Sequence, residues 1–106
     1  MTIFFKDKIP FIEGVSVNDL ISSHQTPFYV YSQNKIASTF TNFKNAINSE
    51  IFYAVKANSN QAILSLMKSL GAGADVVSIG ELKRALIAGF EPSNIILEGV
   101  GKTKSD

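Results

Sequence analysis

From Thr26 to Leu97 the chain alternates short β-branched or aromatic runs with amphipathic stretches of helical period, and no other feature constrains the fold as much. Pro27 to Tyr31 reads as a strand, after which Ile36, Phe40, Phe43 and Ile47 fall on one face of a helix over 34–47. A strand over 51–56 leads to a helix over 60–70, with Ile63, Leu66, Met67 and Leu70 as its apolar stripe and Gly71 as its stop. The third repeat has a strand at Ala74-Asp75-Val76-Val77 and a helix opened by Ser78 and Glu81, which are spaced as an S-x-x-E capping box. Gly89 suits that helix's C′ position, Pro92 prevents its continuation, and Ile95-Ile96-Leu97 reads as a fourth strand. Strands separated by such helices pair in parallel through right-handed crossovers, so the fold class is α/β. An open doubly wound sheet and part of a barrel both satisfy this order. A (β/α)8 TIM barrel takes about 250 residues, so a chain of 106 holds at most its first half.

Before Thr26 the pattern differs. Residues 3–13 alternate apolar and polar groups around Lys6-Asp7-Lys8, which predicts a short β-hairpin. Ser16 with Asp19 forms a capping signal ahead of Val17, Leu20 and Ile21, predicting a short helix over 17–23. His24 at its end suits the free carbonyls of a helix C-terminus better than catalysis. The chain therefore divides into an N-terminal hairpin and helix, residues 1–25, and an α/β portion, residues 26–106.

Composition narrows the chemistry. A net charge of +1, with no basic tract, gives no footprint for nucleic acid or an anionic membrane. The absence of cysteine excludes disulfides and thiolate metal sites, and a single histidine cannot build a zinc cluster. No apolar run approaches the roughly 18 residues of a membrane helix, and the first residues meet Lys6 and Asp7 too soon for a secretory core, so a cytoplasmic protein acting on small molecules is expected.

One residue breaks the pattern in a way that suggests chemistry. Lys56 ends the apolar run Phe52-Tyr53-Ala54-Val55-Lys56-Ala57-Asn58, and strand ends are where parallel α/β proteins build their sites. Strand alternation would put Phe52, Ala54 and Lys56 on one face, with the small Ala54 leaving room for a planar ring, and Ile51, Tyr53 and Val55 on the other. An amine attacks a carbonyl only when unprotonated, a state favoured by desolvation or by covalent capture in a cofactor. Lys56 is thus a candidate nucleophile; a surface lysine ending its strand in water satisfies the same spacing.

The run from Phe52 to Asn58, followed by Gly73-Ala74-Asp75-Val76-Val77-Ser78-Ile79-Gly80-Glu81-Leu82 and by Gly99-Val100-Gly101-Lys102-Thr103, closely resembles diaminopimelate decarboxylase. That family belongs to the fold-type III, alanine-racemase-like group of pyridoxal-phosphate enzymes, and the likeness extends from about Glu13 to the end of the chain. It implies that Lys56 holds the pyridoxal phosphate covalently and that Ala54 and Asp75 line the cofactor pocket. Asp75 as a plain polar strand-start residue remains the alternative, and Glu81 is explained by its capping box alone. The reaction implied is decarboxylation of meso-2,6-diaminopimelate to L-lysine, a step of lysine biosynthesis, in which the substrate amine displaces Lys56 from the cofactor and carbon dioxide leaves.

The same resemblance implies the N-terminal part of a TIM barrel, with the hairpin joining a second, β-rich domain that lies outside this chain. It places the phosphate loop, the acid facing the pyridine nitrogen, the substrate-reading arginine and tyrosine, and a cysteine donated across a homodimer beyond Asp106. The 106-residue chain alone is accordingly expected to be inactive and a poor folder, with unpaired strand edges. Ile79 stands where many members have glycine, and Glu98 where a small residue or histidine is common. Ser59-Asn60-Gln61 lacks the Gly- and His-bearing turn of alanine racemases. An ornithine or arginine decarboxylase and a non-catalytic fragment remain the alternative readings.

Overall fold

A computed structural model describes residues 3–105. The elements are β1 (Ile3–Lys6), β2 (Ile9–Ile12), β3 (Val15–Ser16), α1 (Val17–Ser23), α2 (Gln33–Ala46), β4 (Phe52–Ala54), α3 (Gln61–Ser69), β5 (Gly73–Val76), α4 (Ile79–Ile87) and β6 (Ile95–Leu97). Short 3-10 turns follow β4, at Val55–Ala57, and precede β6, at Pro92–Asn94. They form two compact units that meet within α2, one reaching to Thr39 and the other starting at Phe40.

In the first unit the predicted hairpin is present, with β1 and β2 antiparallel and joined by Asp7 and Lys8, both at positive φ, 51° and 66°. Two central residues of this kind match the right-handed twist of the strands they connect. Phe4 and Phe11 face each other in register with rings 5.4 Å apart. The hairpin gains a third strand that the alternation did not reveal, because β3 is only two residues long and pairs with β2 through Phe11↔Ser16 and Ile12↔Val15. Helix α1 spans the predicted 17–23; Ser16 Oγ accepts from Asn18 N, and His24 Nδ1 lies 3.2 Å from the Leu20 carbonyl, which also accepts from His24 N.

Helix α2 is capped from a distance. Ser32 Oγ accepts from Lys35 N at 3.0 Å and donates to the Glu13 carboxylate, which also accepts from Asn34 N at 2.8 Å. A negative charge at a helix N-terminus is favourable because the first amide protons there have no partner within the helix. The strand expected over 27–31 is not formed. Aromatic and β-branched residues favour a pleated surface, but a strand also needs a partner, and among the described residues no strand pairs with this segment, which leaves Tyr29 89% exposed. The α2 stripe is also less buried than its period suggests, since only Phe40 is enclosed and Phe43 and Ile47 remain exposed.

The second unit is a parallel sheet in the order β4-β5-β6, with helices in the crossovers. The α/β expectation holds with three paired strands rather than four. β5 is central, paired as Phe52↔Gly73, Tyr53↔Ala74 and Ala54↔Asp75 on one side and as Ala74↔Ile95, Asp75↔Ile96 and Val76↔Leu97 on the other. Paired residues share a face, so Ala74 and Val76, both wholly buried, face the helices with Tyr53, Ile95 and Leu97. Ile63, Leu64 and Met67 of α3 and Ala85 of α4 complete this core. Leu64 has no exposed surface although the predicted stripe omitted it, because the buried face of α3 is broader than a strict one-in-four row. Gly71 and Gly89 end α3 and α4 at φ 88° and 92°, where a side chain would be strained, as their positions predict. None of the described helices is long and apolar enough to cross a membrane.

Gly73 has a different reason to be glycine. A Cβ there would stand 2.4 Å from the Phe52 ring and 2.9 Å from the Asn94 carbonyl oxygen. Gly73→Ala should therefore lower stability by about 1–3 kcal/mol, the usual cost of overpacking, measured as a lower urea midpoint at unchanged slope. In the first unit, Glu13→Ala should cost about 1–3 kcal/mol in the same measurement, because it strips the acceptor from the buried Ser32 hydroxyl and from the α2 N-terminus.

Candidate functional site

The C-terminal end of the parallel sheet collects the polar groups of the second unit. β4 stops at Ala54, and the chain turns immediately into the 3-10 turn Val55–Ala57, so Lys56 is not a strand residue and the alternation of Phe52 and Ala54 does not extend to it. The local cause is visible on both sides of the turn. Val55 is wholly buried and anchors it in the core, while Tyr53 Oη donates to the Asn58 carbonyl at 2.9 Å and draws the chain back over the strand end. Lys56 and Ala57 are left exposed between these two restraints.

The rest of the segment is closed by asparagines. Asn58 Oδ1 accepts from Asn60 N at 3.0 Å, and Asn60 Oδ1 accepts from Ala62 N at 2.9 Å, which caps α3. Asparagine suits both places because its short side-chain carbonyl reaches a main-chain donor two residues on. From α4, Arg84 Nη1 donates to the Ser59 carbonyl at 3.2 Å.

On the neighbouring strand, Asp75 is the register partner of Ala54. Alternation directs it away from the helix-covered face that holds Ala74 and Val76, and the methyl side chain of Ala54 leaves the sheet low beside it. Asp75 is half-buried, and its Oδ1 is buried with no hydrogen-bond partner among the described residues. A buried acceptor in that state is costly unless something else supplies a donor.

The end of β5 is fixed by charge on both sides of one residue. Val77 N donates to Glu81 Oε2 at 2.8 Å, and the Val77 carbonyl accepts from Lys102 Nζ. Glu81 N in turn donates to Ser78 Oγ at 3.2 Å, so the Ser78 half of the predicted capping box is present, while the Glu81 carboxylate reaches one residue beyond the cap, to Val77 N; both bonds account for Glu81 structurally. One residue earlier, the Val76 carbonyl accepts from Glu98 N at 3.0 Å.

The sheet thus brings Ala54 and Asp75 side by side, with Lys56 on the turn that follows Ala54. Sequence reasoning missed Lys102, Arg84 and the hydroxyl of Tyr53. Each acts on a main-chain carbonyl, and no side-chain motif signals such a bond; Lys102 lies within a motif that was noted, but its partner is 25 residues away.

The donor set fits a pyridoxal group at its reactive end: an accessible primary amine for an aldehyde, a carboxylate oxygen without a donor among the described residues, and a small residue paired with that acid. Residues 33–106 match the family model described as the pyridoxal-binding domain of pyridoxal-dependent decarboxylases. The chain is 52% identical over 88 residues to diaminopimelate decarboxylase of Helicobacter pylori strain J99, an alignment that covers 80% of this chain and 22% of that protein. A crystal structure from Aquifex aeolicus superposes with a TM-score of 0.93 at 45% identity, covering 99% of this chain and 27% of that one. The Helicobacter pylori diaminopimelate decarboxylase crystallised with L-lysine superposes with a TM-score of 0.76 at 52% identity, over 81% of this chain and 23% of that one. The chain spans about a quarter of the length of the curated relatives it matches. With a matching model over most of its length, the chain belongs to the pyridoxal-dependent decarboxylases, through their pyridoxal-binding domain.

Proposed function

We propose that this chain provides the first strands of a (β/α)8 barrel and the cofactor-binding lysine of a diaminopimelate decarboxylase, which converts meso-2,6-diaminopimelate to L-lysine. The observation that carries the reading is the position of Lys56: an exposed amine on a turn at the C-terminal end of a parallel sheet, beside a strand whose Asp75 carries a buried oxygen without a partner among the described residues. Sites on parallel sheets lie at that end. The names of the relatives support the choice of substrate, and the Helicobacter pylori enzyme's complex with L-lysine supports the product.

In this reading Lys56 holds pyridoxal phosphate through Nζ, and Ala54 and Asp75 flank it. The chemistry that the cofactor supplies when bound is an electron sink for the carbon that loses its carboxylate. Lys56 keeps its amine accessible because the turn spends its apolar residue, Val55, on the core. Ala54 admits a flat ring where a larger side chain would stand over the strand. Asp75 offers Oδ1 as an acceptor on the same face, oriented by a strand that cannot rotate without breaking its ladders to both neighbours. The division into residues 1–25, belonging with a second β-rich domain, and 26–106, belonging with the barrel, is part of the same proposal, as are a homodimer and a cytoplasmic location.

Reduction of the cofactor-loaded full-length protein with borohydride, followed by peptide mapping, should place the label on Lys56. A label on Lys68 or Lys83 would overturn the assignment. Lys56→Ala should abolish release of carbon dioxide from diaminopimelate while leaving the circular dichroism spectrum and unfolding midpoint unchanged, because an exposed side chain is removed and no buried partner is stranded. Ornithine and arginine, offered to the parent enzyme, should release far less carbon dioxide than diaminopimelate; equal rates would overturn the substrate but not the cofactor site.

A further inference from the structure

Six residues, 55–60, connect β4 to α3 and carry Lys56. One end is anchored by the burial of Val55 and the other by the Asn60 cap of α3. Between them the main chain has no ladder to hold it. The Asn58 carbonyl is held by Tyr53, which belongs to the strand just before, so that bond moves with the segment's own root. Among the described residues, the middle of the segment is tied to a distant element by the bond from Arg84 Nη1 to the Ser59 carbonyl, across 25 residues of chain.

A second bond runs in the opposite direction. Gln61 Nε2, on the first residue of α3, donates to the main-chain carbonyl of Arg84 at 3.0 Å. The two bonds flank Asn60, so α4 grips the start of α3 on both sides of its cap, once with a side chain and once with its backbone. Arg84 is the only arginine in the chain. Among the described residues its guanidinium meets no carboxylate, so an ion pair does not account for it. The aliphatic stem is exposed, and core packing does not account for it either.

We propose, on the basis of the functional reading above, that Arg84 is a positioning residue for Lys56: by holding the Ser59 carbonyl it sets the path of the turn and hence the place from which the Lys56 amine meets the pyridoxal group. Reaction between a bound group and an amine depends steeply on approach, and a displacement of about 1 Å costs as much as 100-fold in rate. Freed of Arg84, the segment keeps its two anchored ends but its middle can shift.

The test uses the full-length protein in its cofactor-free form. Arg84→Met keeps the stem and removes the donors; Arg84→Lys keeps one donor. Arg84→Met should slow the uptake of added pyridoxal phosphate onto Lys56 by about tenfold or more, followed by the absorbance of the bound chromophore, and should shift the pH at which that chromophore titrates. Arg84→Lys should recover part of both. Amide hydrogen exchange at residues 57–60, measured without cofactor, should quicken in Arg84→Met while exchange in β5 stays as in the parent. Uptake and chromophore titration unchanged in Arg84→Met would overturn the proposal, whatever happens to thermal stability, because a merely structural tie would lower the melting temperature alone. If the parent protein does not load cofactor on Lys56, the functional reading is what fails. The exchange experiment still decides the clasp in that case, and unchanged exchange at 57–60 would overturn it.

Discussion

The burial of one face of β5 is the constraint on which the second unit depends. Ala74 and Val76 have no exposed surface, and each lies in register with residues of both neighbouring strands or at the edge of that pairing. Burying side chains of this size contributes about 1.5–3 kcal/mol for valine or leucine, so Val76 together with Leu64 and Val55 forms the main apolar anchor of the unit. Alternation does the rest. Once Ala74 and Val76 are committed to the helices, Asp75 must point the other way, and the register sets it beside Ala54. The candidate site is therefore a by-product of core packing in its placement, although its chemistry comes from the residues placed.

The two ends of β5 are treated differently. At its start Gly73 lets the Phe52 ring lie across the strand, so that end is governed by steric fit. At its far end Val77 is held by Glu81 at its N–H and by Lys102 at its carbonyl, and Glu98 N closes on Val76. Charged partners give the stronger main-chain hydrogen bonds. An end held in this way can present a carboxylate in a constant orientation, whereas the lysine sits on a turn anchored in the core by Val55 and tied to α4 by Arg84. The arrangement pairs an acid-bearing strand laddered on both sides with an amine-bearing turn that has no ladder of its own.

The first unit follows other rules. Its sheet is built from a two-residue turn and cross-strand aromatic pairing, local effects that need little from the rest of the chain. Glu13, at the turn after β2, reaches the N-terminus of α2 and Ser32, and so links the meander to the helix through a buried hydroxyl and a carboxylate. The three strands leave Ile3, Phe4 and Phe5 exposed.

The elements that were legible in the sequence are those set by short-range physics. Helix α1, the Ser78 cap of α4, the glycine stops at 71 and 89, and strand β6 depend on backbone donors, acceptors and φ values within a few residues of one another. The resemblance in the motifs around Lys56 and Asp75 also lies wholly in the sequence. Tertiary structure decided what needs a partner. Pro27 to Tyr31 has strand composition but no paired strand, and Phe43 has a place in a stripe but no surface to cover it. Lys56 left the strand because Val55 found the core and Tyr53 found the Asn58 carbonyl. Arg84 and Lys102 reach carbonyls 25 residues away, and a main-chain acceptor looks the same behind every side chain, so no reading of residue types along the chain could have paired them.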